Sequence, residues 1–313
     1  MAKVWLTGDA VVDLIPAHNS DTYLKCAGGA PANVAVGIAR LQGECGFFGR
    51  VGNDPFGRFM RDTLAGENVN VDHLILDAQQ RTSTVLVDLD ESGERTFTFM
   101  VKPSADQFMQ PQDTPTFKHG EWLHTCSISL ANEPSRSTTL AALAAMKAAG
   151  GFVSFDPNLR EEVWQQPADI RDVVMQAVAL ADVVKFSEEE LLFLTETDSR
   201  EAGLAALAPL AIPLVMITLG AEGALVVMSD AIVDRKESQT VIRGISVDVV
   251  DTTGAGDAFV CGVLAYLSQH SDWQLAATIT QAIQWGNICG ALATTQKGAM
   301  TALPTQSALL AHL

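Results

Sequence analysis

Short β-branched runs alternate along this chain with longer segments of helical period, and no other feature restricts the fold as much. Parallel strands joined by crossover helices produce that rhythm. The strand pattern predicts β-structure over Val4–Thr7, Gly46–Phe48, Trp122–Cys126, Phe152–Phe155, Val183–Lys185 and Leu214–Thr218. Helices are predicted over Ala32–Leu41, Arg58–Glu67, Ser137–Ala149 and Ile170–Ala181. Asp54-Pro55 supplies an N-cap followed by a proline at the first helical position, and Gly150-Gly151 stops the Ala-rich helix. With 48% hydrophobic but only 6% aromatic residues, most of the apolar content is aliphatic, as suits helices packed on a buried sheet. The expected fold class is therefore α/β, a doubly wound, mostly parallel sheet flanked by helices. At 313 residues it fits one large domain or two average ones.

One region breaks the rhythm. Thr82 to Phe99 alternates apolar and polar residues on both sides of a Ser92-Gly93 turn, the pattern of a half-buried hairpin. Placed beside the carboxyl edge of the main sheet, such a hairpin serves equally as a small antiparallel β lid or as a plain sheet edge.

Charge excludes several classes of partner. Against 20 Lys+Arg stand 37 Asp+Glu, and a net charge of −17 repels nucleic acid and anionic membranes. A small polyanion must then meet a local basic site or arrive with a metal ion. Cys26, Cys45, Cys126, Cys261 and Cys289 have no C-x-x-C spacing and the six His form no H-x-x-x-H, so neither a disulfide framework nor zinc is indicated. Polar residues interrupt every apolar stretch short of a bilayer span, and the first residues run straight into a strand pattern without a secretory signal. The expectation is a soluble, cytoplasmic protein.

The chemistry concentrates in Asp251-Thr-Thr-Gly-Ala-Gly-Asp257-Ala-Phe259. Gly254 and Gly256 allow a tight turn, and a helix over Ala255–Leu267 would aim its unsatisfied N–H groups and positive dipole end at an anion. Asp257 would stand where a substrate hydroxyl attacks. Gly254-x-Gly256-x-x-Phe259 lacks the third glycine of a dinucleotide fingerprint, and no Gly-Lys-Ser/Thr follows to make a P-loop. Phosphoryl transfer to an alcohol fits this loop; a helix-capping Asp257 fits it too.

A second constellation comprises Gly8-Asp9-Ala-Val-Val-Asp13 and Gly28-Gly29-Ala-Pro-Ala-Asn33. Carboxylates and an amide beside paired glycines suit a polyol, because Asp accepts from hydroxyls while Asn both donates and accepts. Taken singly, Asp9 also fits a turn, Asp13 a solvent-facing site and Asn33 a helix cap.

On these residues the chain resembles the ribokinase-like (PfkB-type) carbohydrate kinase family and, within it, bacterial fructokinases. The likeness runs from Val4 to about Pro304. It rests on Gly28 to Arg40 with Gly49 to Gly57, and on Asp251 to Gly262, supported by Ser154-Phe-Asp-Pro-Asn-Leu-Arg160, Val184 to Leu191, Thr218 to Gly223 and Cys289 to Pro304. It implies one kinase domain over residues 1–313, with a β-lid subdomain from segments near 11–30 and 80–104.

By that resemblance Asp257 is the catalytic base and Gly254, Ala255 and Gly256 line the anion hole. Asp13, Gly28, Gly29 and Asn33 contact the sugar beside Asp9, and Arg160 meets the sugar or the transferring phosphoryl group, unless it forms a surface ion pair. Thr218, Gly220 and Gly223 match the turn that holds ATP, and Asn287 lies in the helix bordering the adenine. The family's Asn-x-x-Glu element, which organises water around Mg2+, corresponds to Ser187-Glu-Glu-Glu190, with Ser replacing Asn. Asp251, Thr253, Ala293, Gln296 and Gly298 match a K+ site. The implied cofactors are ATP, Mg2+ and K+, and the implied partners are a small-molecule sugar and a second copy of the chain. Dimerisation would use the lid strands, with Val85, Val87, Phe97 and Phe99 as the apolar face.

The resemblance implies conversion of D-fructose to fructose 6-phosphate. An aminoimidazole riboside kinase is similar at Gly8-Asp9, Asp251 to Phe259 and Lys297 to Pro304, whereas Arg95 to Met100 and Lys102 to Asp106 favour fructokinase. A sugar- or nucleotide-binding protein that lost the chemistry would have lost Asp257, a loop glycine or both Glu189 and Glu190; all are present.

Overall fold

Thirteen strands form among the described residues because the β-branched and aromatic runs pair into two sheets. The computed structural model describes residues 1–17, 22–89 and 95–313. The strands are β1 (Val4–Thr7), β2 (Val11–Pro16), β3 (Tyr23–Gly28), β4 (Cys45–Gly52), β5 (Asn70–Asp77), β6 (Thr84–Leu89), β7 (Arg95–Phe99), β8 (Trp122–Cys126), β9 (Phe152–Asp156), β10 (Val183–Phe186), β11 (Leu214–Thr218), β12 (Gly223–Met228) and β13 (Gln239–Arg243). The helices used below are α1 (Ala30–Arg40), α2 (Pro55–Gly66), α3 (Ser135–Ala148), α4 (Ile170–Leu180), α5 (Glu188–Thr195), α6 (Arg200–Leu207), α7 (Ala255–Leu267) and α8 (Ala276–Ala293).

The main sheet has nine strands in the order β13-β12-β11-β10-β9-β8-β1-β4-β5. It is parallel from β5 to β11, and only the β11–β12 and β12–β13 pairs at one edge are antiparallel. Val4 pairs with Cys45 on one side and Trp122 on the other, so β1 lies where the chain turns from one half of the sheet to the other. In open α/β sheets ligands settle at the carboxyl ends of the strands beside such a switch point.

Side-chain alternation divides the core between the two faces. From β1, Val4 and Leu6 join the cluster packed under α1, α7 and α8, whereas Trp5 joins the one under α3, α4, α5 and α6. In β11, Leu214 and Met216 take the first face, Val215 and Ile217 the second. Each fully buried Leu, Ile or Val contributes about 1.5–3 kcal/mol, which outweighs the weak local signals in β4, where Gly49 and Gly52 interrupt the β-branched pattern but the strand still runs over eight residues. Asp54 caps α2 as expected, accepting from the N–H groups of Phe56 (3.0 Å) and Gly57 (2.8 Å). Such a cap is worth about 1 kcal/mol. It also accepts from the Thr82 N–H at 2.9 Å and so ties α2 to the approach of β6.

The excursion from the main sheet is four-stranded, ordered β3-β2-β6-β7. β6 and β7 form the predicted antiparallel hairpin, and the Ser92-Gly93 turn lies outside the described residues. β2 also pairs antiparallel with β3, while β2 and β6 lie parallel. The expected apolar face is not free. Val85 and Val87 are buried with Val11, and Phe99 packs against that cluster; the side chain of Phe97 lies outside the described residues. Inward burial of Val85 and Val87 gives the small sheet its own core, so these two side chains do not form an exposed apolar face.

Candidate active site

Gly254 is the N-cap of α7, in the left-handed region at φ 78°. A Cβ there would also lie 2.7 Å from the Ala299 Cβ, so glycine is required both by conformation and by space. Among the described residues nothing accepts from the backbone N–H groups of Gly256 and Asp257, which stay available to an anion at the positive end of the helix. Ala255 differs from expectation: its N–H donates to the Thr252 carbonyl at 3.2 Å, so it shapes the turn rather than opening into the hole.

Asp257 does not cap α7. Its Oδ2 accepts from Asn33 Nδ2 at 2.8 Å and its Oδ1 from Asn158 Nδ2 at 3.4 Å, which leaves the carboxylate aimed between two amides. Burial pushes its pKa up, and the Asn33 hydrogen bond, Lys185 and Arg160 oppose that. The result is a buried carboxylate held by amides, with the chemistry a general base requires.

The end of β1 delivers Asp9, and β2 delivers Asp13. Gly29, at φ 100°, lies so close to the Asp9 backbone that a Cβ would collide with its carbonyl oxygen, and a Cβ on Gly28 would meet Asp13 Oδ2 at 2.6 Å. The paired glycines thus let both carboxylates and α1, with Asn33 in its first turn, converge. Asp9 Oδ1 and Asn33 Oδ1 are buried without a protein partner, as suits acceptors awaiting hydroxyls. Burial pushes the Asp9 pKa up to about 7, helped by the charges of Asp106 and Asp257 and offset by its backbone hydrogen bond and Arg160.

Glu190 is fixed by a reciprocal capping box at the start of α5: Ser187 Oγ accepts from the Glu190 N–H at 3.1 Å and Glu190 Oε2 from the Ser187 N–H at 2.8 Å. The Leu159 N–H donates to Glu190 Oε1 at 3.1 Å, joining this turn to the loop after β9. The serine therefore holds the glutamate in place of the expected asparagine. Arg160 is exposed, makes no ion pair among the described residues and donates to its own Leu159 carbonyl at 2.7 Å. The surface ion-pair alternative falls away.

These groups line one cavity of about 740 Å³: Asp9, Asp13, Gly29, Asn33, Arg160, Glu190, Asp251, Thr253, Gly254, Gly256 and Asp257 all border it. Thr218, Gly220, Gly223 and Asn287 do not line it. Thr218 ends β11 before the Gly220–Glu222 turn, while Asn287 donates to the carbonyls of Ile242 (2.9 Å) and Arg243 (3.1 Å) and so anchors β13. Gly28, Ser187, Ala293, Gln296 and Gly298 do not line it either. Asp251 accepts from the Thr253 N–H (3.1 Å) and hydroxyl (2.8 Å) and from the Gly298 N–H (2.9 Å), drawing the anion loop and the segment after α8 together. No group of three His, Cys, Asp or Glu able to hold a metal occurs among the described residues, so a divalent ion here would take most of its oxygen donors from phosphate and water.

Four residues of the site escaped the sequence reading of individual roles. Asn158, at φ 39°, reaches Asp257; Lys185 and Asp156 form an ion pair at 3.0 Å in the same region; and buried Asp106 faces Asp9. Asp156, Asn158 and Lys185 lie within the stretches that carry the resemblance, but their partners come from distant strands and helices, so no local spacing marks their roles.

Residues 1–306 match the pfkB family carbohydrate kinases. A fructokinase of Vibrio alginolyticus is 63% identical over 311 residues, covering 99% of this chain and 98% of the relative. The aminoimidazole riboside kinase of Salmonella typhimurium is 44% identical over 304 residues, covering 97% and 92%. A fructokinase double mutant from Vibrio cholerae O395, solved in a fructose, ADP and potassium ion bound form, superimposes with a TM-score of 0.94 at 65% identity, covering 99% of this chain and 98% of that one. The same organism's fructokinase, in a fructose, ADP and calcium ion bound form, gives 0.93 at 65% identity with the same coverage. With a family match over nearly its whole length and these identities, the chain belongs to the pfkB family of carbohydrate kinases.

Proposed function

We propose that this chain transfers the terminal phosphoryl group of ATP to D-fructose, giving fructose 6-phosphate and ADP. The observation that carries the chemistry is Asp257, buried, ionisable and held by Asn33 beside the open N–H groups of α7. The fructose, ADP-bound relatives support the substrate, as does the 63% identity to a fructokinase.

In this reading Asp9, Asp13 and Asn33 accept from and donate to the sugar hydroxyls, and Gly28 and Gly29 keep them close. Asp257 takes the proton of the attacking hydroxyl, a contribution of about 10²- to 10⁴-fold. The N–H groups of Gly256 and Asp257, with the helix dipole, stabilise charge on the transferring group, and Arg160 closes over it. Thr218, Gly220 and Gly223 support the nucleotide, and Asn287 sets the wall of its site. Glu190 would hold Mg2+ by way of water, and the ion would supply neutralisation of charge on the phosphates. Asp251, Thr253, Ala293, Gln296 and Gly298 would hold K+, which would raise activity by steadying the loop. The use of ATP supports a cytoplasmic location; no described helix is long and apolar enough to cross a membrane. The small sheet serves as a lid over the sugar. A homodimer built on it would use Tyr23 and Leu24 of β3, which are 48% and 59% exposed, and sedimentation at micromolar concentration tests that.

Coupled ADP release with Mg2+ and K+ present, comparing fructose, glucose, ribose, 2-keto-3-deoxygluconate and aminoimidazole riboside, decides the substrate. Fructose should lead in kcat/KM by about tenfold or more. A lead for the riboside would transfer the assignment to that substrate, and no turnover on any sugar would favour a non-catalytic binding protein.

A further inference from the structure

Lys185 is the one lysine or arginine among the described residues that is buried, with 8% of its surface exposed. On β10 it alternates with Val184 and Phe186, which join the cluster under α3 to α6, and so it faces the other side of the sheet, toward α7. Its Nζ donates to both oxygens of Asp156, at 3.0 and 3.3 Å, and lies 3.8 Å from Glu190 Oε2. A Cβ placed on Gly256 would be 3.6 Å from it, and it borders the same cavity as Asp257 and Gly254.

Two features of this arrangement call for a further anion. An ammonium carries three N–H donors, and the Asp156 carboxylate takes two of them; Glu190 is at ion-pair rather than hydrogen-bond distance, which leaves a donor for the cavity. A cation opposite the positive end of a helix is unfavourable unless a negative group lies between them. The exposed Arg160 has no such fixed position.

We propose that Lys185 contacts the terminal phosphoryl group of the bound nucleotide, held against it by Asp156 and Glu190 across from the first turn of α7. The inference rests on the kinase reading and adds to it a residue that touches the transferring group. Its charge is pre-placed by two carboxylates, so little reorganisation is needed as negative charge moves during transfer.

Calorimetry comparing ADP with the non-hydrolysable analogue AMP-PNP, on wild type and Lys185→Met, tests it. AMP-PNP should bind about 10- to 100-fold more weakly to the variant, the range for a hydrogen bond to a charged group, while ADP changes by less than about threefold. The kcat should fall about 10²-fold with the KM for fructose nearly constant. Equal losses for both nucleotides, or no loss, overturn the proposal, because a merely structural lysine cannot distinguish them. If Lys185→Met does not fold, the pair Lys185→Met with Asp156→Asn removes the stranded carboxylate and the same nucleotide comparison applies. Sugar-dependent ADP release by the wild type is measured alongside: its absence would end the kinase reading itself, independently of Lys185.

Discussion

Asn33 and Asp257, 224 positions apart in the chain, are joined by a 2.8 Å hydrogen bond from Asn33 Nδ2 to Asp257 Oδ2. The bond links the first turn of α1 to the first turn of α7, and so joins the proposed sugar-binding amide to the proposed base. It also favours the ionised carboxylate in a buried setting that otherwise raises its pKa.

Asp257→Asn should lower kcat by at least about 10²-fold while nucleotide affinity stays nearly constant, since the amide keeps the shape but cannot take a proton. Steady-state rates beside ADP binding measure both. A variant retaining more than roughly a tenth of wild-type turnover would remove Asp257 as the base.

Asn33→Leu should move the acid limb of the kcat/KM profile to higher pH. The sign follows from the hydrogen bond: Asn33 lowers the Asp257 pKa, its loss raises that pKa, and an enzyme needing the carboxylate then requires a more alkaline medium. An unchanged limb would mean that the Asp257 ionisation does not govern the profile.

Gly254→Ala should reduce kcat/KM for ATP by about tenfold or more. A side chain at φ 78° costs about 1–2 kcal/mol and would press on Ala299, displacing the open N–H groups by a few tenths of an ångström. Far-ultraviolet circular dichroism should remain native, and a variant with wild-type kinetics would show that the loop does not bind the phosphoryl group.

Asp9→Asn should be inactive yet more stable than wild type at pH 8, by roughly 1–4 kcal/mol. Because the folded-state pKa of about 7 exceeds the ordinary 3.8, the folded protein binds this proton more tightly than the unfolded chain. Stability from Asp9 is full below about 3.8 and is lost as pH rises through about 7. The difference between variant and wild type in urea unfolding should therefore shrink toward acid pH; a constant difference would contradict the linkage.

Much was legible before any tertiary contact was known. Repeating strand and helix periods, the cap at Asp54-Pro55 and the turn at Gly254-Ala-Gly256 are local matters of side-chain spacing and backbone freedom, and they place α7 and the parallel strands β1, β8, β9, β10 and β11 within a residue, whereas α2 starts three residues before Arg58, β4 runs four residues past Phe48 and β5 carries no comparable local signal. The motifs also bring Asp9, Asn33 and Asp257 into consideration together. Local pattern does not carry the two antiparallel edge strands β12 and β13, the inward burial of Val85 and Val87, or the turn of the Ala255 N–H toward Thr252. Those depend on what packs opposite. The same holds for Lys185, an unremarked lysine in a strand until Asp156 from β9, Glu190 from α5 and the start of α7 surround it. Periodicity and turn chemistry act over a few residues and can be read from the chain; burial, desolvation and the pairing of charges arise only when distant segments meet, and there the tertiary structure decided what the site became.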